Sequence, residues 1–377
     1  MLRSKPEELI RKTIARFVDE ELIPKAQEID EKGEFPMEMF KKLADMGVYR
    51  IRYPRKNGGA GGNTTLYCII AEELARGLLS VAAISSMQCL MATNFLFHYG
   101  TDEMKKKYFE PAMRGEKIGA FCLTEPEAGG ALGSITTSAT RTNDGFLING
   151  MKSWITNGPI ADFYTVLCQT DPVKKLRGVN FFFVPKDTPG FSHSKPFSLL
   201  GTRSTQISEV AFNNCLIPHE YMLGEEGRGV SNLLSIAAEI RVMTAALAIG
   251  VLRAAMDDSI KYAKERMAFG QTIGKYQLIQ AKIADMATEL EAARLLTYRA
   301  TAMIDEKKEA MKESTMAKYF ATEAACRACD EATRIFGGYG FSMEYSVQRY
   351  YRDNRMLLSG GGTHEILKTN IARWLGL

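Results

Sequence analysis

The stretch Phe121-Cys-Leu-Thr-Glu-Pro-Glu-Ala-Gly-Gly130 separates two hydrophobic patterns in this chain of 377 residues. Before it, from about Leu9 to Lys117, apolar residues recur with the 3.6-residue period of amphipathic helices. After it, from Phe121 to about Leu223, short runs alternate apolar and polar side chains, as half-buried strands do. The helical period returns from Gly229 onward. This order predicts three domains, at residues 1–119, 120–228 and 229–377.

The clearest local signal is a β-hairpin around Asp144-Gly145, where two alternating runs meet. Further strands are predicted at residues 163–168, 178–184 and 209–217. Long helices are predicted at about 231–268, 276–307 and 311–336, and helices of this length favour an antiparallel bundle. The run Gly58 to Gly62 is predicted to be a mobile loop. The fold class is therefore α+β: an N-terminal helical domain, a middle antiparallel, barrel-like β domain and a C-terminal domain like a four-helix bundle.

Composition excludes several classes of function. The net charge is +4, from 48 basic and 44 acidic residues, and these are interspersed, which argues against nucleic-acid binding. No run is predicted to approach the roughly 20 apolar residues of a membrane span, and the N-terminus lacks a secretory signal. Seven scattered cysteines, of which Cys326 and Cys329 are helix neighbours, predict reduced thiols and a cytoplasmic location. Four scattered histidines show no zinc-ligand spacing, so no metal site is expected.

Two motifs near the start of the β domain carry a resemblance to a known family. Thr124-Glu125-Pro126, followed by two glycines, resembles the Thr-Glu-Pro-x-Ala-Gly-Ser-Asp motif of the FAD-dependent acyl-CoA dehydrogenases, and Trp154-Ile155-Thr156 resembles that family's aromatic-Ile-Thr segment. In such enzymes these segments hold the flavin ring, because hydrogen-bond donors stabilise the charge that develops when it accepts a hydride. The resemblance implies flavin contacts at Cys122, Leu123, Thr124, Gly129, Gly130, Trp154, Ile155 and Thr156. Gly130 and Ala131 stand where the family has Ser and Asp.

Later motifs extend the resemblance over essentially the whole chain. The segment from Arg266 to Gln271 resembles the family's Arg-x-x-Phe-Gly, and Ile335 to Phe341 resembles its glycine-rich turn after a long helix. An arginine can grip a pyrophosphate with two parallel hydrogen bonds, and in the family this arginine reaches the cofactor of a neighbouring subunit. The resemblance therefore implies a homotetramer or homodimer. The further cofactor contacts that it implies are Arg266, Phe269, Gln277, Arg334, Gly337, Gly338, Thr363 and Glu365.

The residue that should remove the substrate proton is absent. In the family a glutamate takes a proton from the carbon beside the thioester, and a positioned base of this kind accelerates a reaction roughly 10²- to 10⁴-fold. The resemblance places that glutamate at Gly361, or, in some members, at Ile240. Glu239 is a weak candidate for a relocated base, because a helix turns about 100° per residue. The catalytic residue is thus unknown from the sequence. Substrate contacts are implied at Gly130, Arg241, Tyr339 and Gly361, while Ala238 replaces an aspartate that helps to hold CoA.

Three functions remain open. The first is an FAD-dependent oxidation of an acyl-CoA with a non-standard base or site of proton loss, for instance on an alicyclic or unsaturated acyl group, with an electron-transfer flavoprotein as acceptor. The second is a redox-neutral elimination such as the desulfination of 3-sulfinopropionyl-CoA, although Ala83 stands where such enzymes hold the sulfinate with an arginine. The third is a non-catalytic subunit that binds acyl-CoA or flavin.

Overall fold

The structure, a computed structural model, describes residues 4 to 377. Its first part is helical, and short π-helical turns at Val18–Leu22, Met87–Met91 and Lys105–Phe109 continue or join its α-helices. The α-helices are α1 Lys5–Phe17, α2 Ala26–Lys32, α3 Met37–Asp45, α4 Thr64–Gly77, α5 Leu79–Ser86, α6 Ala92–Tyr99, α7 Asp102–Met104 and α8 Glu110–Met113. The glycine run at 58–62 differs from the predicted mobile loop. Gly61 and Gly62 donate backbone hydrogen bonds to the carbonyls of Tyr53 and Ile51, which hold the turn against the preceding segment.

The middle part is one mixed sheet, in which the strands lie in the order β6-β7-β3-β2-β4-β5-β8 and β1 pairs with β4. The strands are β1 Gly119–Cys122, β2 Ser138–Arg141, β3 Phe146–Ile155, β4 Phe163–Gln169, β5 Val179–Pro185, β6 Phe191–His193, β7 Ser208–Ile217 and β8 Met222–Leu223. The predicted hairpin is confirmed as the antiparallel pair β2–β3. The sheet is mainly antiparallel, but β1 runs parallel to β4, as does the single pair that joins β2 to β4.

The last part returns to helices: α9 Gly229–Glu265, α10 Gln277–Asp305, α11 Met311–Phe336, α12 Ser346–Asp353, α13 Met356–Ser359 and α14 His364–Trp374. A two-stranded ribbon, β9 Met267–Ala268 and β10 Gln271–Thr272, joins α9 to α10. Helix α9 packs against α4, α10 and α11. Gly250 of α9 lies directly against the backbone of α4, and a Cβ there would collide with the Glu72 carbonyl. This glycine is what allows the first and last parts of the chain to approach so closely.

Two helical stretches, Leu79–Tyr99 and Gly229–Glu265, are long and apolar enough to cross a membrane by length and composition. The expectation that no such stretch exists was therefore wrong. In the most apolar window of each, 89% and 72% of the residues are buried inside the protein. Their apolarity is accounted for by packing in the core, where long helices are hydrophobic on most faces.

A buried charge network joins the N-terminal and C-terminal helices. The carboxylate of Glu72 on α4 binds Arg11 of α1 at 2.9 Å and Arg294 of α10 at 3.0 Å, and it accepts a hydrogen bond from the Tyr298 hydroxyl at 2.5 Å. Burial by itself would raise the pKa of this carboxyl, but Arg11 and then Arg294 lower it to about 2. Because the partners come from three helices, the network fixes their relative positions.

We predict that Glu72→Gln destabilises the protein by up to about 3–5 kcal/mol at neutral pH, since it removes the buried carboxylate that Arg11 and Arg294 share and leaves them only Glu73 and Glu291 as counter-charges. The folded-state pKa lies below the unfolded value of 4.5. The carboxylate therefore stabilises the fold above about pH 4.5, and this stabilisation is lost as the pH falls towards 2. Thermal unfolding of wild type and variant should converge in this acid range. Glu116→Gln, which removes an exposed pair with Arg114, is the control, and a variant that followed the wild-type pH dependence would contradict the assignment.

Candidate active site

The Thr-Glu-Pro loop is held by a buried ion pair. Glu125 is 3% exposed and binds the Lys152 ammonium of β3 at 2.8 Å. The same carboxylate accepts hydrogen bonds from the amides of Thr136 and Thr137, and Lys152 also donates to the Leu123 carbonyl at 3.0 Å. Burial would raise the pKa of Glu125, but the hydrogen bond from Lys152 is the main cause that lowers it to about 2. The loop is thus rigidly attached to β3, and Glu125 is not free to act as a base.

The two motifs of the β domain meet at one surface. The Ser153 amide donates to the Thr124 carbonyl at 2.8 Å, which brings Thr124 beside the end of β3. There Trp154 has a positive φ of 61° and leaves 62% of its surface exposed, while Ile155 is buried below it. The exposed indole and the partly exposed residues Thr124 and Thr156 form a wall that combines an aromatic face with hydrogen-bonding groups. A planar ring system can lie on such a wall.

This wall reaches the C-terminal loop through Gly130. A Cβ at Gly130 would collide with the Ile366 side chain in the first turn of α14. Gly130, which stands where the family has a serine, therefore permits direct contact between the β domain and α14. The partly exposed Thr363 lies at the start of the same turn, and Glu365 in that turn is exposed.

A second group of predicted cofactor residues lies in the C-terminal domain. Tyr262, Arg266, Ile273 and residues 335–339 line an open cavity of about 470 Å³, and the Arg266 guanidinium lies 5.5 Å from the Tyr339 ring centre. No atom lies within 4 Å of a Cβ built on Gly337 or Gly338. Phe269 is 98% exposed. Gln277 and Arg334 are also at the surface. Two glycines without neighbours beside an arginine make a surface that a phosphate-bearing ligand can approach closely.

Gly361 faces helix α9. A Cβ built on it would lie 2.9 Å from the Thr244 hydroxyl oxygen and 3.6 Å from Cγ2 of Ile240. Its φ of +72° disfavours any residue with a side chain. The two positions where the family keeps its base are therefore neighbours in space, and both lack a carboxylate. Within residues 4–377, the Gly361 amide donates no hydrogen bond to another protein group.

Glu239 points away from this position. Its carboxylate forms an ion pair with Arg52, and the two side chains are 18% and 9% exposed. The rings of Tyr53 and Tyr67 lie 5.6 and 5.9 Å from the Arg52 guanidinium carbon. The ion pair holds the Glu239 carboxylate at Arg52 and not beside Gly361. This geometry argues against the relocated-base hypothesis.

One face of the buried helical stretch at residues 79–96 keeps some accessible surface. Ala83 and Met91 are partly exposed, and Met87 midway between them keeps a little accessible surface, while the other residues of this stretch are buried. A spacing of four residues places these three side chains on one helix face. Ile240 and Thr244 of α9, the residues closest to the Gly361 Cβ position, are themselves buried.

The C-terminal loop is anchored from behind by Lys318 and His364. The Lys318 ammonium donates to the carbonyls of Leu358 and Gly362, and burial, with a smaller effect of the Arg241 charge, lowers its pKa to about 8. His364 bonds the Thr322 hydroxyl at 2.7 Å and the Glu323 carboxylate at 2.8 Å. These contacts fix the backbone on both sides of Gly361.

Arg241 has no carboxylate partner among the described residues. Its guanidinium donates to the Thr315 hydroxyl at 2.7 Å, and burial lowers its pKa. Ala238, one turn of helix earlier, supplies no counter-charge. The charge of Arg241 is therefore available for an anionic ligand.

Four residues of the site were not found by sequence reasoning: Lys152, Arg52, Thr244 and Lys318. Lys152 carried a weak signal, since strand alternation places it on the same face as Phe146 and Ile148, which are buried. Thr244 could have been found one helical turn after Ile240. Arg52 and Lys318 carry no local signal, because their partners come from distant parts of the chain.

Three sequence models of one family match the chain in succession: the N-terminal domain of acyl-CoA dehydrogenase at residues 4–116, its middle domain at 120–215 and its C-terminal domain at 227–376. Together they span nearly the whole sequence. The matches follow the same order as the helical, sheet and helical parts of the structure.

Individual proteins agree with this. The chain is 47% identical over 365 residues to benzylmalonyl-CoA dehydrogenase of Aromatoleum aromaticum, covering 97% of this chain and 96% of that protein. It is 39% identical to the caffeyl-CoA reductase-Etf complex subunit CarC of Acetobacterium woodii, covering 100% and 99%. Among solved structures, butyryl-CoA dehydrogenase from Megasphaera elsdenii superposes with a TM-score of 0.96 at 35% identity, with 100% of both chains covered. The protein therefore belongs to the acyl-CoA dehydrogenase family and is an FAD-dependent enzyme.

Proposed function

We propose that the enzyme oxidises a 2-carboxyacyl-CoA with an aromatic side group, and that loss of CO₂ replaces removal of the α-proton. The observation that carries this proposal is the pairing of Gly361 with Ile240 and Thr244, where no carboxylate is available as base. The name of the relative from Aromatoleum aromaticum supports it. A benzylmalonyl thioester bears a carboxylate on the carbon beside the thioester, and this group can leave without a base.

The proposed reaction balances without a protein base. When the bond between Cα and the carboxylate carbon breaks, CO₂ departs and its bonding electron pair stays on Cα. A hydride leaves Cβ, and a double bond forms between Cα and Cβ. One anionic substrate thus gives CO₂, a neutral enoyl-CoA and a hydride, which FAD, when bound, would accept and pass on as two electrons to an external acceptor.

The backbone amide of Gly361 has a role in the proposed reaction, although this position lacks the glutamate side chain of the family. Negative charge develops on the thioester oxygen as the bond to CO₂ breaks, and a fixed donor lowers the energy of that state. The Gly361 amide is without a protein acceptor in the described chain, and Lys318 and His364 hold the loop that carries it. We assign this amide to the thioester oxygen.

FAD supplies the hydride acceptor when it is bound. The ring system of FAD fits the wall formed by Thr124, Trp154, Ile155 and Thr156. The polar edge of that ring system fits the turn at Gly129 and Gly130, which offers backbone amides. The cavity beside Arg266, with the open turn at Gly337 and Gly338, fits a pyrophosphate. These two groups lie in different domains, so we propose that Arg266 and Phe269 serve the cofactor of a neighbouring subunit in a homotetramer or homodimer.

The aromatic side group is inferred from the accessible helix face formed by Ala83, Met87 and Met91 and from the names of two relatives. Ala83, Met87 and Met91 present small and flexible apolar surface without a charge, which suits a flat ring. Two relatives are named for acyl groups with an aromatic ring, benzylmalonyl and caffeyl. Arg241, unpaired among the described residues, is assigned to the CoA moiety.

The absent glutamate also favours oxidation over reduction. Reduction of an enoyl-CoA requires a proton donor at Cα, and the same position that lacks a base lacks an acid.

Desulfination of a 3-sulfinopropionyl thioester also needs no base, but Ala83 stands in place of a cation that could hold the sulfinate. An alicyclic substrate with a distant acidic carbon stays a further alternative, as does a non-catalytic subunit.

The acceptor that we propose is an electron-transfer flavoprotein. The support is the name of the Acetobacterium woodii relative, which is a subunit of a complex with Etf. We further propose a cytoplasmic location, in keeping with the seven cysteines, all of which are free.

The proposed function predicts a sharp difference between two thioesters. Benzylmalonyl-CoA, mixed anaerobically with the purified enzyme, should bleach the flavin and release CO₂ and cinnamoyl-CoA in a 1:1 ratio. 3-Phenylpropionyl-CoA, which differs only in lacking the carboxylate, should react more slowly by roughly 10²-fold or more, since no base takes its α-proton. Stopped-flow absorbance and product chromatography measure both. Equal bleaching by the two thioesters would show that a base exists, and would overturn the proposal.

A second prediction concerns Glu239. Because its carboxylate is bound to Arg52, Glu239→Gln should change the turnover number less than about threefold, whereas loss of a general base would lower it 10²- to 10⁴-fold. The variant should nevertheless unfold at a lower temperature, since Arg52 loses its counter-charge. Steady-state turnover with benzylmalonyl-CoA and a thermal melt give the two readouts. Arg52→Gln combined with Glu239→Gln is the control, and it should recover part of the lost stability.

A further inference from the structure

We infer that the Thr244 hydroxyl is the group that receives the substrate carboxylate, so that Thr244 determines the specificity for a 2-carboxyacyl thioester. This inference rests on the proposed function and names a residue for it. No motif of the sequence pointed to Thr244. Its position follows from the packing of the C-terminal loop on α9.

Stereochemistry places the departing carboxylate near Thr244. The bond from Cα to the carboxylate must stand out of the thioester plane, so that its electrons can enter the carbonyl system as it breaks. The Gly361 amide, assigned to the thioester oxygen, fixes that plane beside the loop. From Gly361 the side-chain direction leads to Thr244, whose oxygen is 2.9 Å from the Cβ position. The carboxylate of the substrate would thus take the direction that a protein carboxylate takes in relatives with the glutamate.

The Thr244 hydroxyl is able to change partner. It is 4% exposed and donates to the Ile240 carbonyl at 2.8 Å. That carbonyl lies four residues earlier in α9 and is also the acceptor of the helical amide bond from residue 244. The hydroxyl proton can therefore turn to the substrate without leaving a buried carbonyl unsatisfied.

The surroundings hold the carboxylate without a counter-charge. The Lys318 ammonium is engaged by the Leu358 and Gly362 carbonyls, and Arg241, which donates to the Thr315 hydroxyl, is assigned to the CoA moiety. Ile240 supplies apolar surface beside the hydroxyl. An ion pair would stabilise the carboxylate against loss of CO₂, whereas one neutral donor orients it and leaves it poorly solvated. A single hydroxyl beside apolar surface is therefore suited to bind this group and release it as CO₂.

The test compares one ligand that has the carboxylate with one that lacks it. In Thr244→Val, which keeps the shape and removes the hydroxyl, KM for benzylmalonyl-CoA should rise about 10- to 100-fold, the range for a lost hydrogen bond to a charged group. The Kd of cinnamoyl-CoA, followed by the flavin spectrum, should change less than twofold. Thr244→Ser, which keeps the hydroxyl, should stay within about threefold of wild type in both measurements. Thr244→Ala replaces the valine variant if the latter does not retain FAD.

Each outcome decides the inference. If Thr244→Val or Thr244→Ala weakens both ligands equally, Thr244 is a packing residue and the inference fails. It also fails if neither ligand is affected while wild type converts benzylmalonyl-CoA, and the proposed function then stands. If wild-type enzyme does not convert benzylmalonyl-CoA, the proposed function fails and the inference fails with it.

Discussion

The close packing of α9 against α4 and against the C-terminal loop is the constraint on which the rest of the structure depends. At Gly250 the two helices approach until no Cβ fits between them. Eleven residues closer to the helix start, Glu239 forms an ion pair with Arg52, whereas the next residue, Ile240, lies beside Gly361. The geometry of the active site follows from this one helix, which contacts both halves of the chain.

Buried charges in this protein serve mainly to join distant segments. Glu125 and Lys152 attach a loop to a strand, and Glu72 connects three helices. Each of these carboxylates is committed to cations, and their low pKa values follow from those partners. None is therefore suited to accept a proton from carbon. Glu125 makes the Thr-Glu-Pro loop of the site rigid, and the chemistry is left to the substrate.

The absence of the glutamate at position 361 and the position of Thr244 are linked, because the two residues are in contact. With φ at +72° and Thr244 at 2.9 Å from the Cβ position, Gly361 could not simply be exchanged for the family residue. The space beside Gly361 is bounded by the neutral hydroxyl of Thr244 and the apolar side chain of Ile240. Such a site fits a substrate that brings its own carboxylate, and the backbone amide of Gly361 stays in place to stabilise the thioester oxygen.

The sequence by itself determined the order of helices and strands, the hairpin at Asp144-Gly145, the flavin motifs and the missing base, because each depends on local periodicity or on residues close along the chain. It did not reveal that Glu239 is bound to Arg52, 187 positions away, or that Thr244 lies beside Gly361. The sequence analysis also missed that Leu79–Tyr99 and Gly229–Glu265 are long and apolar enough to span a membrane, and only the structure shows that most of their residues are buried in the core. Only the tertiary structure decided these points, since side-chain partners are chosen by the packing of distant helices.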